Sequence, residues 1–239
     1  MTAIAVEDLR GVRVAGWLGL LALAITAAEF PLWFVDDRVP PFWQAAAFAE
    51  FVGRHGTLYL SRTVMDLAIF GLLLVFFGGL RQLFVRTRPA CEWLATTMFG
   101  VALVYIAVTL VADALTASIG LDVADGHPDP TVIRALNEAS VLLFGSVGIS
   151  LLVLLLVLGS VLVLVTAALP RWLAWLGFAA AACDLAFVPT IYRGTDFNAG
   201  LYVAAGDGPA AIAPAAFLVW VACIAVGMAR ARPQRDGVA

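Results

Sequence analysis

Charge is scarce in this chain, and lysine is absent altogether. Charged residues make up only 13% of the 239 residues, all basic residues are arginine, and the net charge is −3. A chain without a basic excess lacks the surface that nucleic acid needs, so we expect no nucleic-acid partner. Hydrophobic residues make up 63% of the sequence. This composition excludes an ordinary soluble domain and predicts a polytopic membrane protein.

Cysteine, histidine and the common catalytic motifs are also rare or missing. The three cysteines, Cys91, Cys183 and Cys223, are widely spaced and form no disulfide or metal-binding pattern. His55 and His127 lie in predicted loops without a third ligand nearby, which argues against zinc. The sequence contains no phosphate-binding loop, dinucleotide fingerprint, nucleophile elbow or HExxH motif. We therefore expect no metal and no cofactor.

Six apolar runs are each long enough to cross a bilayer, which takes about 20 helical residues. They cover residues 14–34, 59–80, 93–115, 139–169, 172–191 and 211–229. The predicted fold is therefore all-α, a polytopic transmembrane helical bundle of six spans. We expect one transmembrane domain that covers residues 1–239.

The arginines outside the spans predict the orientation of the bundle. The arginines next to the predicted cytoplasmic ends of the spans are Arg10, Arg13, Arg81, Arg86, Arg88, Arg171, Arg230, Arg232 and Arg235. The opposite loops are acidic and carry Asp36, Asp37, Glu50, Asp122, Asp125, Asp129, Asp196 and Asp207. Because cytoplasmic loops are rich in arginine, we expect both termini in the cytoplasm of a bacterial cell, with the chain in the cell membrane.

Two of the outer loops contain helix signals. Residues 41–53 place Trp43, Ala47 and Phe51 on one helical face, which is typical of a short helix lying in the membrane interface. Before the fourth span, Asp129 is a predicted N-cap and Pro130 a predicted first helical residue. The fourth helix is therefore expected to begin above the membrane and to run long.

Two spans resemble each other in sequence. RVAGWLGLLALAITAAEFP, which begins at Arg13, aligns without gaps on RWLAWLGFAAAACDLAFVP, which begins at Arg171. The two segments share the arginine, a WLG triplet and a proline near the outer end. They favour an internal duplication, although the helices that follow align poorly.

Ionisable residues within the spans are concentrated in the predicted outer half. Burying a charge in a bilayer costs about 3 kcal/mol or more, so ionisable residues within the spans are expected to have a structural or functional role. They are Glu29, Arg62, Asp66, Asp113, Glu138 and Asp184, with Arg193 just beyond the fifth span. Tyr105, Thr109, Asp113 and Thr116 recur at helical spacing and form a polar stripe on the third helix. We expect these groups to line one pocket that opens outward.

The chemistry expected of this pocket is proton transfer. Five carboxyl groups face three arginines, so at least two are unpaired or protonated and could donate a proton. The catalytic candidates are Asp66, Asp184, Glu29 and Asp113. The substrate-binding candidates are Arg62, Tyr105, Asn137, Glu138, Tyr192 and Arg193. The alternative is structural: Arg62, Arg134 and Arg193 could pair with Asp66, Glu138 and Asp184 to hold the helices in register.

Two segments carry a resemblance to a known family. YLSRTVMDLA, from Tyr59, and LPRWLAWLG, from Leu169, resemble a group of small six-span actinobacterial integral membrane proteins of unknown function. That resemblance implies no activity and no site residues. The arrangement of carboxyl groups is also loosely similar to integral-membrane terpene cyclases, which protonate a prenyl epoxide or alkene in an apolar cavity. Those enzymes have seven spans, whereas six are predicted here.

Three functions remain open at this point. The first is acid–base chemistry, of the cyclisation or isomerisation type, on a lipid-like or isoprenoid-like substrate. The second is a non-catalytic binding or accessory membrane subunit, and the third is a small proton-coupled transporter. The expected partners are a hydrophobic or amphipathic small molecule and membrane lipid. A homo-oligomer or a membrane protein partner is also possible.

Overall fold

The chain forms a bundle of apolar helices. The computed structural model describes residues 6–33, 40, 44–124, 129–194, 200–204 and 206–231. Within these ranges the regular structure is helical and no strand occurs. Six of the helices are long and apolar enough to cross a membrane, as predicted, so this is an integral membrane protein. A helix satisfies its own backbone hydrogen bonds, which lipid cannot do.

Seven α-helices and several irregular segments make up the six spans, because the fourth span, Pro130–Thr166, contains two α-helices. The α-helices are α1 (Val6–Glu29), α2 (Ala45–Thr87), α3 (Glu92–Ala124), α4 (Pro130–Leu142), α5 (Gly148–Thr166), α6 (Trp172–Phe187) and α7 (Ala213–Ala229). Short 3-10 segments follow α1 (Phe30–Trp33), α2 (Pro89–Cys91) and α6 (Val188–Arg193). Two π-helical segments, Leu143–Val147 and Gly208–Ile212, precede α5 and α7.

Helix α2 is much longer than a membrane span. Its 43 residues extend about 65 Å, roughly twice the thickness of the hydrocarbon core. Residues 45–53 form its first turns, so they are not the separate interfacial helix that the sequence predicted; residues 41–43 lie outside the described part of the chain. The reason is packing: Phe48, Phe51 and Val52 lie against Ile119 of α3 and Ile133 of α4.

These outer turns of α2, the end of α3 and the start of α4 form a small three-helix unit, which we call the helical cap. It has its own apolar core, separate from the core of the spans. The predicted start of α4 is confirmed, because the Asp129 side chain accepts hydrogen bonds from the backbone N–H groups of Thr131 and Val132, and Pro130 is the first helical residue. The cap stands over one end of the bundle.

The six spans contact one another as a ring in chain order. Helix α1 packs on α2, α2 on α3, α3 on α5, α5 on α6, α6 on α7, and α7 closes the ring on α1. In lipid such contacts depend on close van der Waals packing, which small residues allow. A Cβ at Gly16 of α1 would lie 2.7 Å from the backbone nitrogen of Ala229, so these two helices are in backbone contact.

Aromatic side chains fill the interior of the ring. Phe76 and Phe77 of α2 are wholly buried, and Phe77 stacks on Phe217 of α7. Trp220 is also buried, and its indole N–H donates a hydrogen bond to the carbonyl of Leu173 at 3.2 Å. These contacts fix the positions of α2, α6 and α7 around a packed core.

The two spans of similar sequence end in the same way. Helix α1 passes into a 3-10 segment that contains Pro31, and α6 passes into one that contains Pro189. Proline fixes φ and removes a backbone donor, which favours such an ending. The likeness therefore extends to local structure at this end of the two helices.

Candidate functional site

Four ionisable side chains from three helices meet below the helical cap. Glu29 is the last residue of α1, Arg62 and Asp66 lie one turn apart on α2, and Asp113 belongs to α3. We call this group the carboxyl cluster. Glu29 and Asp113 are 3% and 4% exposed, whereas Arg62 and Asp66 are half-buried. The cluster is therefore buried on the α1 and α3 sides and accessible along α2.

Arg62 holds the cluster together. Its Nε donates to Oε1 of Glu29 at 3.4 Å, an ion pair with little solvent exposure. The guanidinium also acts electrostatically on Asp66 and Asp113. A cation among three carboxyl groups offsets part of the cost of placing them in an apolar bundle.

Asp66 and Asp113 are directly paired. Their carboxyl groups lie close enough to interact directly. Two neighbouring carboxylates repel each other, so the pair is more stable when one of the two groups holds a proton. Oδ2 of Asp113 is buried and has no partner among the described residues. The pair therefore favours a shared proton and keeps one oxygen available for a further hydrogen bond.

Polar groups on α4 lie close to the cluster. The hydroxyls of Ser140 and Thr116 are 2.8 Å apart, and the Ser140 hydroxyl also donates to the carbonyl of Ala112, the residue before Asp113. Asn137 lies one turn before Ser140 on α4 and is buried, and its Nδ2 has no partner among the described residues. Asn137 thus presents an unused donor on the α4 face that packs against α3.

Asp184 is buried away from the carboxyl cluster. It lies near the end of α6 and is 0% exposed, and neither carboxyl oxygen has a hydrogen-bond partner among the described residues. Tyr105 of α3 interacts electrostatically with Asp184 and with both aspartates of the cluster. Its ring lies edge-on to Phe70 and Phe217. Tyr105 is therefore within electrostatic range of both buried acidic positions.

The remaining candidates do not join the cluster. Glu138 pairs with Arg134 one turn away on α4, where Arg134 Nε donates at 2.9 Å, as the structural alternative predicted. Tyr192 is 89% exposed and Arg193 is also exposed. Both belong to a 3-10 segment with about three residues per turn, which carries their side chains to the surface while Asp184 is buried. The pairing of Arg193 with Asp184 is not formed either.

The expected single pocket lined by five carboxyl groups is therefore replaced by two separate acidic positions. Two open apolar grooves occur on the sides of the bundle, with volumes of about 390 and 590 Å³. The first lies between α6 and α7, and the second is bordered by Val104, Ser150 and Tyr192. Neither is lined by a carboxyl group. In the described part of the chain no three side chains group as potential metal ligands.

The sequence did not predict the break between α4 and α5. Gly145 has a ψ of −116°, outside the helical range, within the π-helical segment. The Ser146 hydroxyl donates to the carbonyl of Val188 at 3.1 Å and so ties this break to the end of α6. A cluster of small residues, Gly145, Ser146 and Gly148, was the available signal, since helix kinks often occur at such residues.

Comparison with known proteins gives one partial match. A stretch of 42 residues is 52% identical to the lipoprotein signal peptidase of Parasynechococcus marenigrum strain WH8102. The match spans 18% of this chain and 24% of that protein, so the chain matches about a quarter of its relative's length. No family model matches the chain, and no solved structure matches it.

Proposed function

We propose that this protein is a membrane-embedded acid–base enzyme in which Asp66 and Asp113 share the reacting proton. The observation that carries the proposal is the close approach of the two carboxyl groups, beside the Glu29–Arg62 ion pair. Two carboxyl groups that share a proton act as an acid and a base at the same site. The proposed reaction is cyclisation or isomerisation of a lipid-like or isoprenoid-like substrate.

The proposed step begins with proton transfer from the pair to an alkene or epoxide of the substrate. Asp66 delivers the proton because its side chain is half-buried, whereas that of Asp113 is buried. The carboxyl O–H bond breaks as the π bond of an alkene becomes a C–H bond, or as the oxygen of an epoxide gains an O–H bond and one of its C–O bonds breaks. The positive charge passes to the substrate carbon skeleton. A neighbouring carbon then loses a proton to the carboxylate, which regenerates the protonated pair. Arg62 stabilises the negative charge that the pair carries in between.

The surroundings of the pair favour an apolar substrate with one polar group. The helices around the cluster are long and apolar enough to cross the membrane. Buried polar groups that lack partners, Asp113 Oδ2 and Asn137 Nδ2, could bind a polar end of the substrate. Proton transfer to a carbon skeleton requires neither a metal nor a nucleophile.

The direct test is an incubation in D2O. Purified protein in detergent is supplied with isoprenoid alcohols, diphosphates and epoxides, and the products are analysed by mass spectrometry. An alkene substrate should give a product that carries deuterium at carbon, and an epoxide should give a ring-opened product, because its deuteron goes to oxygen. Asp66→Asn and Asp113→Asn should each lower the rate of product formation by about 100-fold or more, since general acid catalysis typically contributes a factor of this size.

Glu138→Gln is the matched control. It removes a carboxyl group from the same end of the bundle but outside the cluster, where Glu138 pairs with Arg134. Its rate should equal that of the unmodified protein. A product that forms equally fast in all variants would contradict catalysis by the pair. If a lipid is retained by the unmodified protein without being converted, the alternative is a non-catalytic binding subunit.

Hydrolysis is a second candidate, favoured by the same pair together with the partial similarity to a lipoprotein signal peptidase. In a paired-carboxyl hydrolase one carboxylate takes a proton from water while the protonated partner donates to the carbonyl oxygen of the scissile bond. The bond to be cleaved would lie in a membrane-embedded peptide or lipid ester. Incubation in H2(18)O with such substrates separates the two reactions, because only hydrolysis places the heavy oxygen in a new carboxyl group.

We further propose that the arginine-rich end of the bundle faces the cytoplasm of a bacterial cell. The described arginines at this end are Arg10, Arg13, Arg81, Arg86, Arg88, Arg171 and Arg230. The carboxyl cluster lies at the other end, so substrate would enter from the outer side of the cell membrane.

A further inference from the structure

We propose that Asp184 binds a monovalent cation, Na+ or a proton, at a site separate from the carboxyl cluster. Its side chain is 0% exposed, and both carboxyl oxygens lack a hydrogen-bond partner in the described structure. An ionised carboxylate left alone in such an interior costs several kcal/mol. The group must therefore hold a proton or a bound cation.

No cationic side chain pairs with Asp184 in the described structure, because Arg193, at the end of the 3-10 segment that follows α6, is exposed and donates no hydrogen bond to it. Helices α5 and α7, which flank α6 in the ring, contain no charged residue at all. Cys183 of α6 and Tyr105 of α3 interact electrostatically with Asp184. Neither carries a positive charge, so no described side chain neutralises the carboxylate.

Three broken helices meet close to Asp184. The π-helical segments Leu143–Val147 and Gly208–Ile212 contact each other, and the first also contacts the 3-10 segment Val188–Arg193. That segment begins four residues after Asp184, and the Ser146 hydroxyl of the first π-helical segment donates a hydrogen bond to its Val188 carbonyl. Interrupted helices expose backbone carbonyls, and their C-terminal ends favour a positive charge. Membrane proteins use such breaks to bind Na+ or a proton.

The ligand set selects a monovalent ion. One carboxylate balances a single positive charge. The described residues place no second or third acidic group there that a divalent metal would need. Na+ and the proton share this chemistry, and they can be distinguished by varying each of them alone.

The test measures thermal unfolding of the purified full-length protein in detergent. NaCl is titrated against choline chloride at constant ionic strength, at neutral and at acidic pH. If Na+ is the ligand, the midpoint should rise by about 4 °C when Na+ reaches ten times its dissociation constant. If the proton is the ligand, the midpoint in choline chloride should rise on acidification.

Asp184→Asn should abolish the response, because the neutral amide needs no counter-ion. Asp207→Asn is the matched control, since Asp207 is exposed and immediately precedes the second π-helical segment. This variant should respond like the unmodified protein. If Asp184→Asn does not fold, Tyr105→Phe takes its place and should weaken the response to the cation several-fold. A response that is absent from the unmodified protein, or unchanged in Asp184→Asn, would overturn the proposal.

Discussion

Single residues decide how closely the helices approach. Gly177 of α6 lies against Ser160 of α5 and Trp220 of α7, and a Cβ there would be 2.6 Å from the Trp220 indole nitrogen. Gly100 of α3 is also helical, but a Cβ there would have no atom within 4 Å. Both glycines lie within a helix, but only at Gly177 would a side chain meet a neighbouring helix.

This contrast predicts opposite effects for the same substitution. Gly177→Ala should lower the free energy of unfolding by about 2 kcal/mol, because the methyl group forces α6 away from the buried tryptophan. Gly100→Ala should raise it by about 0.5 kcal/mol or slightly more, because alanine favours the helix. The two changes in the free energy of unfolding are measured by unfolding each variant in mixed detergent micelles. Equal effects at the two positions would show that the packing around Trp220 is looser than described.

At the scale of helices, the ends of α2, α3 and α4 matter most to the candidate site. They extend beyond the spans and share the apolar core of the helical cap, which stands over Asp66 and Asp113. Ile133 of α4 is fully buried in this core, whereas its neighbour Val132 is 46% exposed. The cap therefore has an inner face that positions α4 against α3.

Removing the inner contact should loosen the cap without unfolding the spans. Ile133→Ala should cost about 3 kcal/mol, the usual effect of truncating a buried aliphatic side chain. We expect faster hydrogen exchange in the first turns of α2 and in α4, and unchanged exchange in α7. Val132→Ala, on the outer face, should leave exchange unchanged in all three helices. Faster exchange throughout the protein after Ile133→Ala would mean that cap and spans unfold together.

At the scale of the whole molecule, the closed ring separates two ends of different charge. Six helices are long and apolar enough to cross the membrane, and six crossings would place both ends of the described chain on the same side. Arg171, between α5 and α6, is at the arginine-rich end, and Asp207, before α7, is at the other. Both side chains are exposed. Their accessibility from water therefore reports the topology directly.

Labelling of single cysteines should place these positions on opposite sides of the membrane. In a variant with Cys91, Cys183 and Cys223 replaced by alanine, Asp207→Cys should react with a membrane-impermeant maleimide in intact cells. Arg171→Cys should react only after permeabilisation, because the proposed orientation places it in the cytoplasm. The reversed labelling pattern would mean that the arginine-rich end faces the outside of the cell. Labelling of both positions in intact cells would contradict six complete crossings.

The sequence alone determined the membrane class, the helical fold and the six spans, because hydrocarbon requires long apolar helices whatever their neighbours are. It also predicted the Asp129 cap and the Arg134–Glu138 pair, since both involve residues within one helical turn. Only the tertiary structure paired Asp66 with Asp113 and Glu29 with Arg62, left Asp184 apart, and moved Tyr192 to the surface. Those outcomes depend on how helices rotate and break against one another, which local sequence patterns do not specify.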